Sequence, residues 1–207
     1  MDSTADTGGL KLYQPKTGRS CGSCALCCKL LHIPELEKPA NTWCKHAKPG
    51  RSIGGCTIYE RRPLTCRGYH CGWMLSKDIS DDWYPRKCHM VITLREFEGI
   101  KVCTVNVDYS YSGIWRLEPY YRHLKRMASN GIAREIFLVQ IRELRHTYLI
   151  LPQKDVEVTG SNYVLSFETF PLRQWNVELA QSRAGAMHRA QEIAAKQIHA
   201  WAMVYDT

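Results

Sequence analysis

The hydrophobic positions of this chain change period more than once, and the clearest pattern lies in the middle. In MVITLREF followed by IKVCTVNVD, residues 90 to 108, apolar and polar side chains alternate with period two, which predicts a β-hairpin turning at Glu98-Gly99. Pairing about that turn sets Leu94 opposite Cys103, Ile92 opposite Val105 and Met90 opposite Val107. Cys103 then shares an apolar face and reads as a small hydrophobe. Between Pro119 and Gly131 the period lengthens, and Tyr120, Tyr121, Leu124 and Met127 form the stripe of a helix opened by proline and closed by glycine. Ile136 to Ile141 and Tyr148 to Leu151 predict strands joined by the polar ELRH segment, and Tyr163 to Phe167 predicts another. From Asn176 to about Tyr205, residues such as Leu179, Ala184, Met187, Ile193 and Trp201 recur at helical spacing. One long amphipathic helix is expected there, lying on a small antiparallel sheet. Its alanine-rich face would otherwise suit a protein partner or a second copy.

Before residue 88 the periodicity is lost. Residues 1 to 20 are polar and predict a flexible arm in which only Leu10, Leu12 and Tyr13 would pack. Pro34 and Pro39 break regular structure, residues 41 to 55 are rich in glycine, proline and polar side chains, and Gly54-Gly55 permits a sharp turn before Cys56. Pro63 suits the first position of a short helix that Gly68 would end. The expected fold class is α+β: a cysteine-rich, metal-binding N-terminal half of short helices and knuckles (residues 21–87), packed on an α+β region (residues 88–207).

What replaces periodicity in residues 21–71 is sulfur. Eight of the ten cysteines lie there: Cys21, Cys24, Cys27 and Cys28 in CGSCALCC, then Cys44, Cys56, Cys66 and Cys71. On a helix or a pair of helical turns, the first four fall within an arc of about 120°. Thiolates so crowded repel one another unless a cation or a disulfide removes the charge. Four thiolates suit a tetrahedral zinc ion or an iron–sulfur cluster, so one or two sites are expected. Cys66, near the start of its short helix, sits where backbone N–H groups favour a thiolate. Arg62 and Tyr59 are candidates for groups that support the cofactor from behind the sulfurs. Trp73 and Trp83 are expected to cover the site. His32, His46 and His70 are spare nitrogens beside a sufficient set of thiols. Cys88, at the entrance of the hairpin, stays outside the ligand set.

At these residues the sequence resembles the CxxCxxCC zinc- or iron-chelating proteins, the YkgJ-like cysteine-cluster family. The resemblance rests on Cys21, Cys24, Cys27 and Cys28, on Cys56-Thr57-Ile58-Tyr59, and on Arg62-Pro63 followed by Cys66-Arg67, about a quarter of the chain. It implies a metal or iron–sulfur centre and carries no reaction with it. A flagellin lysine methylase is similar through the same cysteine pattern, which implies a metal- or cluster-dependent protein-modifying enzyme as the alternative role.

Composition narrows the reading. The 207 residues are 44% hydrophobic and 23% charged, ordinary for a globular protein. No run of about 18 apolar residues and no leader-like segment occurs, so no membrane and a cytoplasmic setting are expected, where disulfides are disfavoured. The formal charge is +8. Eight thiolates and two divalent ions would bring it to about +4. The basic residues are also scattered, which argues against a metal-knuckle protein binding nucleic acid. A radical S-adenosylmethionine signature is missing, because Leu31 stands where its third cysteine would. No G-x-G-x-x-G, P-loop or G-x-S-x-G occurs, and Cys21-x2-Cys24 lacks the βαβ context of a thioredoxin dithiol. A structural, electron-transfer or sensing role is the leading expectation, with no catalytic residue assigned.

Overall fold

The computed structural model describes residues 17–50, 55–97, 99–133, 135, 137–169, 173–196 and 198–203. Most of the expected arm, with Leu10, Leu12 and Tyr13, lies outside them, as do Gly54, Glu98, Ile136 and Tyr205. The chain divides into two units, Met1–Lys87 and Cys88–Thr207.

In the described part of the first unit, helices are short: α1 Cys27–Leu30, α2 Leu64–Gly68 and α3 Gly72–Leu75, with α4 Pro85–Cys88 at the boundary. The expected helical face from Cys21 to Cys28 does not form. Gly22, at φ +52°, turns the chain left-handed, and the Cys24 N–H closes on the Cys21 carbonyl at 2.9 Å, so only Cys27 and Cys28 are helical. Pro63 caps α2 from outside rather than opening it, and Gly68 is its last residue.

The second unit begins with the hairpin β1 Met90–Phe97 and β2 Ile100–Val107, in the expected register: Leu94 opposite Cys103, Ile92 opposite Val105, Met90 opposite Val107. The helix α5 Tyr120–Ile132 then carries the chain to β3 Phe137–Glu143, which pairs parallel to β2. Gly131 is required near its end, because a Cβ there would fall on the Phe137 ring. β4 His146–Ile150 and β5 Asp155–Glu157 complete a five-stranded sheet in chain order. One crossover makes this sheet mixed rather than antiparallel.

A second sheet corrects the C-terminal expectation. β6 Asn162–Glu168 is its centre, flanked by β7 Gln174–Ala180 and β8 His199–Met203, all antiparallel. The segment read as one long helix is strand, helix and strand, with α6 Arg183–Ala194 between β7 and β8. Ser182 opens α6 by accepting the Gly185 N–H at 3.1 Å, which sets the helix start well after Asn176. Pairing on both edges of β6 outweighs helical spacing, since a buried central strand left unpaired would leave its backbone groups unsatisfied.

Alternation along these strands builds layers. Odd positions Tyr163, Leu165 and Phe167 of β6, with Trp175 and Trp201, pack against Ile100, Leu138 and Leu149 of the first sheet. The even position Val164, with Ala200 and Ala202 of β8, meets Ala186, Ala190 and Ile193 of α6. Large side chains fill the space between sheets, and small ones let the helix approach closely.

Candidate metal centre

Described residues of the first unit fold back on α1 and the turn before it through backbone hydrogen bonds. After Leu31 the chain leaves in an extended conformation, makes a 3-10 turn at Pro34–Leu36, and passes Glu37 at φ +49° so that Lys38 bridges back to Ile33. The Lys38 side chain is buried, and its Nζ donates to the Lys29 carbonyl at 2.9 Å and to that of Leu31. The Asn41 N–H reaches the Leu30 carbonyl, and the Cys44 N–H reaches Cys28 at 3.0 Å. The next loop comes back through an antiparallel bridge between Ala47 and Cys56, with the Thr57 N–H on the His46 carbonyl. Gly55 has φ +56°, and a Cβ on it would lie 2.8 Å from the Cβ of Ala25. The strand carrying Cys56 therefore lies directly on the segment between Cys24 and Cys27.

Two further cysteines enter on short helices. Cys66 is in α2, where the Thr65 hydroxyl and N–H both donate to Glu35, at 2.7 and 3.1 Å. Cys71 caps α3 and accepts from the Met74 N–H, and the Cys21 Sγ lies 3.3 Å from the Met74 Sδ. Arg19 holds this corner by donating to the carbonyls of Trp73, Ser76 and Ile79. The Tyr84 hydroxyl donates to the Cys21 carbonyl, and Arg86 to Ser23.

The thiols feel one another. Burial first, then Cys24, pushes Cys21 up, and burial raises Cys24. Burial and the neighbouring Cys28 and Cys44 push Cys66 up to about 11. Burial, with Cys21 and Cys24 adding to it, pushes Cys71 up to about 11. Cys27 donates its S–H to Cys28, which raises Cys27 well above the ordinary thiol range and lowers Cys28 to about 7, with Lys38 and Arg62 also attracting the Cys28 thiolate.

The expected supporting residues meet. The Arg62 guanidinium lies 3.6 Å from the centre of the Tyr59 ring and donates from Nε to the Tyr59 carbonyl at 2.7 Å. The Arg62 charge acts on Cys21 and Cys28, so Tyr59 reaches the sulfurs through Arg62. Trp73 packs against Tyr84 and under Arg19, and Trp83 is fully buried. Cys88 and Cys103 are buried in the second unit, where the Cys88 Sγ lies 3.4 Å from the Met90 carbonyl. Sequence reasoning missed Lys38, Met74 and Tyr84, whose residue types carry no ligand signal and which only the returning loops bring to the sulfurs.

None of the cysteines, all ten of them among the described residues, is in a disulfide. Among the described residues, no three Cys, His, Asp or Glu side chains close into a metal-holding group. Of the eight cysteines, Cys44 and Cys71 are buried and the other six half-buried, and crowded thiols of this kind are the soft donors that a thiophilic cation takes. Compared with protein-family models, with curated proteins and with solved structures, the chain finds no match.

Proposed function

We propose that residues 21–87 bind a thiophilic metal, zinc or an iron–sulfur cluster, at one or two sites through Cys21, Cys24, Cys27, Cys28, Cys44, Cys56, Cys66 and Cys71, in a structural, electron-transfer or sensing role. The observation that carries this reading is the path of the chain. The loop bearing Cys44 returns to α1, Cys56 is bridged to that loop at Ala47 beside a Gly55 that meets Ala25, and the helix that Cys71 caps lies against Cys21, although the regular elements described there are five residues or shorter. When bound, the metal would supply the positive charge that lets these sulfurs ionise together, and binding energy at such a site is largely folding energy. Lys38, Arg62 and Arg86 add positive charge around the sulfurs, and Tyr59 steadies Arg62. Among the described residues no helix is long and apolar enough to cross a membrane. The proposal takes the protein to act in the cytoplasm, where thiols stay reduced.

The test is elemental analysis and an absorption spectrum of protein purified without oxygen. One or two equivalents of zinc or iron are expected. Neither metal, together with intramolecular disulfides seen by mass spectrometry, would make the sulfurs crosslinks and end this reading.

A further inference from the structure

We propose that the end of the five-stranded sheet where β2 and β3 finish is a docking surface for an acidic, apolar segment of a protein partner, built from Tyr109, Tyr111, Leu117 and Leu144 with arginines around them. The inference is independent of the metal-binding reading.

β2 and β3 run parallel and finish side by side, Val107 opposite Glu143. Two connections leave from that end. After β2 come 3-10 turns at Tyr109–Tyr111 and Ile114–Arg116, and after β3 the two residues Leu144-Arg145 turn the chain into His146 of β4. The buried Glu143 carboxylate joins the two connections, accepting from the Gly113 N–H and from the Trp115 indole at 3.1 Å. Asp108, also buried, accepts the Ser110 N–H at 3.0 Å, and the Tyr111 ring stacks on His89 with centroids 3.4 Å apart. Both connections are thus fastened in place, which lowers the ordering cost of binding.

On this platform apolar side chains face water. Leu117 is 60% exposed and Leu144 56%, and Tyr109 and Tyr111 are exposed beside them. These four are half of the large hydrophobic side chains exposed among the described residues, so the exposure is concentrated here rather than scattered. Leu144 is the sharpest case. Its φ of +54° is a left-handed conformation that glycine or asparagine fills more easily in a two-residue hairpin turn. Leucine is strained there and gains little burial in return, so neither the turn nor the core accounts for it.

The charge around the patch selects the occupant. Arg116, Arg142 and Arg145 are exposed. The Arg116 guanidinium lies over the Trp115 and Tyr148 rings, 3.9 Å from the buried Glu143 carboxylate, while Arg142 and Arg145 form no ion pair among the described residues. The carboxylates at this end are already engaged, Glu143 by the loop and Glu157 by His146 and Thr159. Apolar surface beside unmatched positive charge is complementary to a segment that carries carboxylates and large hydrophobic side chains. The two leucines favour protein over nucleic acid, because bases stack on rings and gain little from aliphatic side chains.

The experiment selects a displayed library of random peptides on the native full-length protein, and measures a synthetic copy of an enriched peptide by fluorescence anisotropy. Sequences rich in Asp and Glu together with Leu, Phe or Trp are expected. Leu144→Asn relieves the turn, so it should keep or raise the thermal midpoint while weakening the peptide by roughly tenfold. Arg145→Glu should weaken it similarly, and raising salt from about 0.05 to about 0.3 M should cost several-fold. Leu179→Thr, at an exposed leucine of β7, should leave binding unchanged. No enriched peptide, enriched peptides without acidic residues, or equal binding by the Leu144→Asn protein would overturn the proposal. A dimer in sedimentation that Leu144→Asn dissociates would overturn it in favour of a second copy of this chain. Binding of a single-stranded oligonucleotide that Leu144→Asn weakens and the peptide does not displace would overturn it in favour of nucleic acid.

Discussion

The backbone N–H of Cys44 donates to the carbonyl of Cys28 at 3.0 Å, joining two cysteines sixteen positions apart in sequence. Between them the chain leaves α1, turns at Pro34–Leu36 and returns, and the whole excursion is fastened by the buried Lys38 ammonium on the carbonyls of Lys29 and Leu31.

Lys38→Met should therefore weaken the first unit. It leaves the carbonyls of Lys29 and Leu31 without this donor and removes a positive charge that acts on Cys28 and Cys44, for a cost of about 1–3 kcal/mol. Zinc affinity measured by chelator competition should fall by roughly tenfold or more at pH 7. A variant with unchanged affinity and melting would show that the excursion holds itself.

Gly55→Ala tests the approach of the Cys56 loop to Ala25. The new Cβ meets Ala25 at 2.8 Å on a left-handed backbone, and either problem alone is unfavourable. A loss of about 1–3 kcal/mol is expected, read from zinc-dependent thermal unfolding of the full chain. Gly99→Ala, also left-handed but with open space around it, should cost only the smaller backbone penalty.

Cys103 should behave as packing. It is fully buried in β2 opposite Leu94, and burial pushes its thiol up to about 12. Cys103→Val should leave metal stoichiometry unchanged and cost less than about 1.5 kcal/mol in denaturant unfolding. Loss of metal in this variant, with retention in Cys66→Ala, would refute the ligand assignment.

Acid should loosen the second unit through Glu143. Burial would raise this carboxyl, but hydrogen bonds from Ser112, Trp115 and Gly113, with the Arg116 charge, hold it below the usual carboxylate range. A carboxylate with a depressed folded-state pKa stabilises above its unfolded value of about 4.3, and that contribution is lost as pH falls through the folded value. Glu143→Gln should flatten this acid limb of the stability profile, and Glu143→Ala should cost about 1–3 kcal/mol at pH 7 by stranding the Trp115 N–H.

The sequence by itself determined the hairpin, because period two over residues 90–107 admits one register that keeps Met90, Ile92, Cys103 and Val105 on a single buried face. It also determined α5, through Pro119 and a stripe of helical period, and it marked the eight cysteines as the chemically unusual residues. Tertiary structure decided the C-terminus. Alanines at 180, 186, 190, 200 and 202 line the same cluster whether they stand on helix or strand, so their spacing does not distinguish the two. The backbone of β6, which needs partners on both edges, made strands of 174–180 and 199–203 and left the helix only 183–194. Near the sulfurs, α1 is only four residues long, so no periodic pattern could announce how Cys44, Cys56 and Cys71 approach it. Their places come from long-range backbone bonds, a close contact at Gly55 and a buried lysine, none of which leaves a repeating trace in the order of residues.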